Sequence, residues 1–358
     1  MSAFAASSAA QQHSSSPRRK YHIAKVAVLG AGTMGARISA HLANAGIPSY
    51  LLDITPQTLD PNSTAAKNSI SAAGLEGLKK SKPAAFFTND AARYISIGNF
   101  DDDLAKIKDA DWIIEAVAEN IDIKRALLKK VEQFRKPGAI VTTNTSGLPV
   151  ASIAEGLSED FRRHWFGTHF FNPPRYMRLL EIIPTPDADP DAITAVSDFC
   201  DKRLGKAIVV AKDTPNFVAN RIGTFSVLNV MRVMREMDLS IEQVDALTGS
   251  AVGWPKSATF RTIDLVGLDI LGHVVGNMTK NAHDERSELK LPEFYSQMLA
   301  NKWLGDKTKQ GFYKKQKSAD GEQRFALDWK TLEYKPQQKA KFPELDMAKN
   351  AKSTEERL

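Results

Sequence analysis

The sequence predicts an α/β fold, a doubly wound and mostly parallel sheet followed by an all-helical C-terminal domain. Three observations carry this. Short apolar runs alternate with helical patterns up to about residue 213, a glycine-rich turn joins the first run to the first helix, and candidate strands disappear afterwards. At 358 residues the chain is long enough to bury two separate cores. Its 42% hydrophobic and 25% charged residues exclude a disordered, collagen-like or coiled-coil chain over most of the length.

Residues 1–22 are Ser/Ala-rich, lack acids and carry the basic run Arg18–Arg19–Lys20, so a disordered tail is expected, with an organelle transit peptide as the alternative. From Lys25, KVAVLG reads as a buried strand. TMGARISAHLANAG then sets Met34, Ile38, Leu42 and Ala45 at helical spacing and stops at Gly46, a C-cap residue. IPSYLLD is a second strand ending in Asp53, and 55–82 is a helix or a helical pair. DWIIEAV, GAIVTTNTS, FGTHFF and LLEIIP are further strands, completing a nucleotide-binding domain over 23–212. Beyond it, 216–237, 241–247, 264–277 and 292–303 read as helices of a domain spanning 213–315. The Lys/Gln-rich stretch 316–358 reads as a polar tail or linker.

Lys and Arg total 48 against 42 acids, a net charge of +6 that is mild and dispersed. It suits an anionic small molecule, and no helix-turn-helix, zinc-finger or aromatic-interleaved basic signature points to nucleic acid. No apolar run approaches the roughly 20 residues that span a bilayer. One cysteine, Cys200, excludes a disulfide framework and a multi-Cys metal site and fits a reducing compartment. No metal ligand set is expected.

Gly30, Gly32 and Gly35 form GxGxxG directly after a strand and at the opening of a helix, and Asp53 ends the next strand 18 residues beyond Gly35. In that context the motif predicts a Rossmann-type dinucleotide site. Gly30 allows the tight turn, Gly32 leaves space for a pyrophosphate, and Gly35 lets helix and strand approach. Backbone N–H groups at the helix start, Thr33 and Met34, face the phosphate charge. A carboxylate at Asp53 binds ribose hydroxyls and repels a 2′-phosphate, so NAD is favoured over NADP. His169 lies in FGTHFFNPP and Glu181 follows 12 residues later in RLLEIIP. Two strands meeting at their ends would bring imidazole and carboxylate together, giving a base whose protonated form is stabilised.

These residues, with EAVAEN, NTSGL, HFFNP, DTPNFVANR, DLVGLD and GDKTKQGFY in order, resemble the L-3-hydroxyacyl-CoA dehydrogenase family of fatty-acid β-oxidation over about residues 24–313. The resemblance implies NAD-dependent oxidation of an L-3-hydroxyacyl-CoA to the 3-ketoacyl-CoA. It implies His169 as catalytic base with Glu181 as its partner, and Ser146 and Asn220 as groups that bond substrate oxygens. It also implies Glu119, Lys124, Ser146, Asn172 and Lys307 at the cofactor, and Lys80 at the CoA moiety.

Two departures stand out. Gly147 replaces a second serine, and 257–260 read Ser-Ala-Thr-Phe where Gly-Pro-Phe is common, which bears on acyl chain length. The likeness is greatest to the dehydrogenase part of multifunctional β-oxidation proteins, so a truncated or stand-alone version of that architecture is expected. Its helical domain would form a homodimer, or contact a fused β-oxidation module. A cytoplasmic location is expected, or the mitochondrial matrix if 1–20 is a transit peptide. Two rival readings are a dehydrogenase of free 3-hydroxy acids and a nucleotide-binding protein without turnover.

Overall fold

The computed structural model describes residues 21–56, 64–281, 290–318, 321–348, 351, 353 and 355–357; the expected N-terminal tail or transit peptide, apart from Tyr21 and His22, lies outside them. The chain divides into two compact units. One comprises the chain up to Thr145 together with Val150–Ala211, and the other comprises Ser146–Pro149 with Lys212–Leu358.

In the first unit the buried run β1 (Val26–Leu29) turns at Gly30 into α1 (Thr33–Asn44), and β2 (Ser49–Asp53) follows. The pair expected over 55–82 appears as α2 (Thr64–Lys67) and α3 (Ser69–Lys79). Then come β3 (Ile95–Asn99), β4 (Trp112–Glu115), α4 (Ile121–Phe134), β5 (Ile140–Thr143), α5 (Val150–Ile153) and α6 (Glu159–Arg163). The strands β6 (Trp165–Phe170) and β7 (Leu179–Pro184), α7 (Pro190–Leu204) and β8 (Ala207–Val210) complete the unit. The sheet order is β3-β2-β1-β4-β5-β6-β7-β8, parallel except at the β6–β7 pair. Strands buried on both sides read as continuous apolar runs, which is why β1, β4 and β5 are legible. The edge strands β3 and β8 lack that signal, because β8 is largely exposed and β3 ends in Gly98–Asn99. Ile38 and Leu42 of α1, Leu78 of α3 and Val196 and Phe199 of α7 pack on sheet residues Val28, Leu51, Trp112 and Ile114 in one core.

The second unit contains α8 (Ala219–Glu236), α9 (Ile241–Leu247), α10 (Phe260–Val266), α11 (Leu268–Asn281) and α12 (Glu293–Ala300). The helix expected over 264–277 is two helices, divided at Gly267, whose φ of 109° lies outside helical backbone. The helical region expected after residue 213 is present, while the segment 316–358, expected as a polar tail or linker, is corrected to further regular structure. β9 (Tyr313–Ser318), β10 (Gly321–Leu327) and β11 (Tyr334–Pro336) form an antiparallel sheet, and a short α13 (Pro343–Ala348) follows. Leu327 joins Met231, Met234, Phe260, Phe294, Tyr295 and Phe312 in the helical core, and Trp329 Nε1 donates to the Leu239 carbonyl at 2.9 Å.

Candidate active site

The glycine-rich turn is built by close approach. A Cβ on Gly30 would fall 2.5 Å from the Ala116 carbonyl oxygen, and Gly30 itself holds φ 106°. A Cβ on Gly35 would fall 1.9 Å from the Gly30 oxygen, so α1 could not sit this close to β1 with any other residue there. At Gly32 a Cβ would meet nothing within 4 Å: the space above this turn is open, and a side chain would fill it. Gly32 is also the N-cap of α1 and has no side chain to satisfy the first-turn N–H groups, which leaves a donor set suited to an anion. Asp53 ends β2 beside this turn; its Oδ2 accepts from Ala31 N at 2.5 Å and its Oδ1 from Ile54 N at 2.7 Å. These residues fit the pyrophosphate and adenosine ribose of NAD.

A second group forms at the ends of β4 and β5. Lys124, on α4 and 1% exposed, donates to both oxygens of the fully buried Glu115 at 2.7 and 2.9 Å. Glu115 also accepts from Thr143 Oγ1 at 2.6 Å and Val117 N at 2.8 Å. Lys124 lies 3.5 Å from exposed Glu119, which accepts from Thr145 Oγ1 at 2.5 Å. Glu119 and Lys124 are the residues the family motifs point to; Glu115, Thr143 and Thr145 join them only through the fold. The available signal was the acid closing the otherwise apolar DWIIE.

His169 and Glu181 are direct register partners in the antiparallel β6–β7 pair. His169 Nδ1 is 2.7 Å from Glu181 Oε2, with 5% and 0% of the residues exposed. The Phe171 ring packs against the imidazole at 4.4 Å between centroids, and Asn144 Oδ1 accepts from Phe170 N at 2.9 Å, fixing the strand end. With Nδ1–H given to the carboxylate, Nε2 carries the lone pair.

The loop between β6 and β7 is fastened from several sides. Arg37 of α1 donates to Asn172 Oδ1 at 3.1 Å. Buried Lys206 donates to the carbonyls of Pro174 and Met177, and its burial pushes its pKa down to about 8. Arg175 donates to the Ala84 and Phe86 carbonyls at 2.8 Å, reaching the segment that follows α3. Lys80, the C-cap of α3, is exposed.

The remaining expected residues belong to the second unit. Ser146 is exposed in the turn after β5, Asn220 is the second residue of α8, and Lys307 forms an ion pair with Asp269. Among the described residues no group of three His, Cys, Asp or Glu could hold a metal ion, and no helix is long and apolar enough to cross a membrane.

Comparison with known proteins identifies the family to which the chain is similar. Residues 25–214 match the family model for the 3-hydroxyacyl-CoA dehydrogenase NAD-binding domain, and 217–315 match the C-terminal domain of the same family. A Bacillus subtilis protein described as "Probable 3-hydroxyacyl-CoA dehydrogenase" is 46% identical over 94% of this chain, which spans 44% of that relative. A Deinococcus radiodurans protein with the same description is 47% identical over 90% of this chain and 91% of its own length. The crystal structure of (S)-3-hydroxybutyryl-CoA dehydrogenase from Ralstonia eutropha superposes with a TM-score of 0.66 at 27% identity, covering 81% of this chain and 98% of that one. The chain therefore belongs to the 3-hydroxyacyl-CoA dehydrogenase family of NAD-dependent oxidoreductases.

Proposed function

We propose that this protein interconverts L-3-hydroxyacyl-CoA and 3-ketoacyl-CoA with NAD, as a step of fatty-acid β-oxidation, and that the His169–Glu181 pair is its general base. The observation that carries the proposal is the buried 2.7 Å contact between the imidazole and a carboxylate. Nε2 of His169 takes the proton of the 3-hydroxyl while Glu181 stabilises the imidazolium across Nδ1–H. NAD, when bound, supplies the hydride acceptor. Gly30, Gly32, Gly35 and the N–H groups of Thr33 and Met34 hold its pyrophosphate, and Asp53 holds its adenosine ribose.

Glu119 and Lys124 serve its nicotinamide half, and Asn172 and Lys307 make further cofactor contacts. Ser146 and Asn220 bond the substrate oxygen as it becomes a carbonyl, and Lys80 meets the CoA moiety. The same reading gives the helical unit a homodimer contact or a fused β-oxidation module as partner. It gives a cytoplasmic location, or the mitochondrial matrix if the N-terminal segment is a transit peptide. In His169→Gln, NADH binding is retained while turnover of acetoacetyl-CoA falls by about 10²–10⁴, the usual worth of a positioned base. Near-normal turnover in that variant would overturn the assignment.

A further inference from the structure

Within the second unit, three residues with no role in the reading above converge on the two groups assigned to the substrate oxygen. Asn216 leads into α8 with φ 61°, a left-handed backbone that asparagine tolerates better than most residues, and it is 1% exposed. Its Nδ2 donates to the Val274 carbonyl at 2.9 Å, which fixes the orientation of the amide, and its Oδ1 accepts from Asn277 Nδ2 at 2.9 Å. The same Asn277 nitrogen donates to the Gly147 carbonyl at 3.3 Å. One side chain on α11 therefore ties the turn carrying Ser146 to the segment that ends, four residues after Asn216, at Asn220. A Cβ on Gly147 would fall 2.2 Å from Asn277 Nδ2 and 3.0 Å from Asn216 Oδ1. The glycine that departs from the family pattern is thus the space the two amides occupy.

We propose that Gly147, Asn216 and Asn277 form a clasp that fixes Ser146 and Asn220 relative to one another, with Asn216 and Asn277 acting as positioning residues for the reaction. The proposal rests on the reading that Ser146 and Asn220 hold the substrate oxygen. Hydrogen-bond donors to a reacting oxygen lose their effect when displaced by a fraction of an ångström, so a clasp behind them governs kcat more than cofactor binding.

The test uses the full chain. Asn216→Gly removes the amide where glycine adopts the observed φ without strain, and Asn277→Ala removes the centre of the clasp. Both are expected to lower kcat for acetoacetyl-CoA reduction by about 10- to 100-fold, with the NADH dissociation constant unchanged. Gly147→Ala is expected to be slow on its own. The Gly147→Ala/Asn277→Ala double variant is expected to be no slower than Asn277→Ala, because the two changes break the same contact.

Unchanged kcat in Asn216→Gly and Asn277→Ala, even with a lower melting temperature, would reduce the clasp to a structural role and overturn the proposal; these two variants decide the matter if Gly147→Ala does not fold. Ser146→Ala and Asn220→Ala separate the two levels. If both turn over normally, the oxygen-binding reading fails and the proposal falls with it. If both are slow while the clasp variants are normal, only the clasp fails.

Discussion

Lys124 is a cation held almost wholly out of water, and Glu115 is the reason it can be. Glu115→Gln would keep the shape and remove the charge, leaving the ammonium buried with Glu119 at 3.5 Å as its nearest acid. Breaking a buried pair from one side costs about 3–5 kcal/mol, whereas replacing both partners with apolar residues is often close to neutral. Glu115→Gln is therefore expected to unfold at markedly lower denaturant and to bind NADH more weakly, while Glu115→Leu/Lys124→Met recovers much of the stability but not the binding. Equal stability of Glu115→Gln and the parent in urea titration would contradict this account. The pair was half legible in the sequence. Resemblance singled out Lys124, but its acid lies nine residues upstream across a strand, a loop and a helix start, a separation that no period marks. His169 and Glu181 were easier, because each sits in its own apolar strand and an antiparallel register brings such residues face to face.

The C-terminal sheet is where local pattern misled. β10 exposes its first four residues and buries only Ala326 and Leu327 at its end. The apolar signal of the strand is thus confined to its final residues after a Lys/Gln-rich approach, which reads as linker. Those residues nevertheless close the helical core: Leu327 is 2% exposed, and Trp329 packs on Phe294 with ring centroids 6.0 Å apart. Asp264 on α10 holds the start of β9, accepting from Phe312 N at 2.8 Å and Tyr313 N at 2.9 Å. Truncation after residue 315 is therefore expected to destabilise the second unit by about 3–5 kcal/mol, the range for losing large buried side chains. Thermal melting of the truncated chain checks it, and an unchanged midpoint would restore the linker reading. The split at Gly267 escaped for a related reason, since hydrophobic spacing continues across it and only the backbone dihedral breaks the helix.

At the scale of the whole molecule, the change from alternating strand and helix to helix was written in the texture of the sequence. The assignment of Ser146–Pro149 to the second unit was not, because it depends on contacts rather than composition. The two units also differ in how protons act on them. In the first, His41 of α1 donates Nε2–H to the Leu204 carbonyl at 3.1 Å, and burial, reinforced by the Lys206 charge, lowers its pKa to about 4. The unfolded chain, with an ordinary imidazole near 6.5, binds more protons than the folded one between those values, so this group's contribution to stability is lost as pH falls from about 6.5 to 4.

In the second unit, burial raises Asp264 to about 7 against the backbone N–H groups that favour its charge. There the folded state holds the extra proton, so the contribution is present below about pH 4 and is lost as pH rises towards 7. The signs are opposite, and amide hydrogen exchange followed from pH 4 to 8 reads each unit separately. His41→Gln is expected to flatten the acid-side loss of protection in α1 and leave the second unit unchanged. Asp264→Asn is expected to remove the loss of protection around β9 as pH rises, from a lower starting stability because the amide can accept only one of the two N–H bonds. Identical pH profiles in parent and variant would show that these groups keep ordinary proton affinities in the folded chain, and the half-buried His41 and buried Asp264 would then have to admit water.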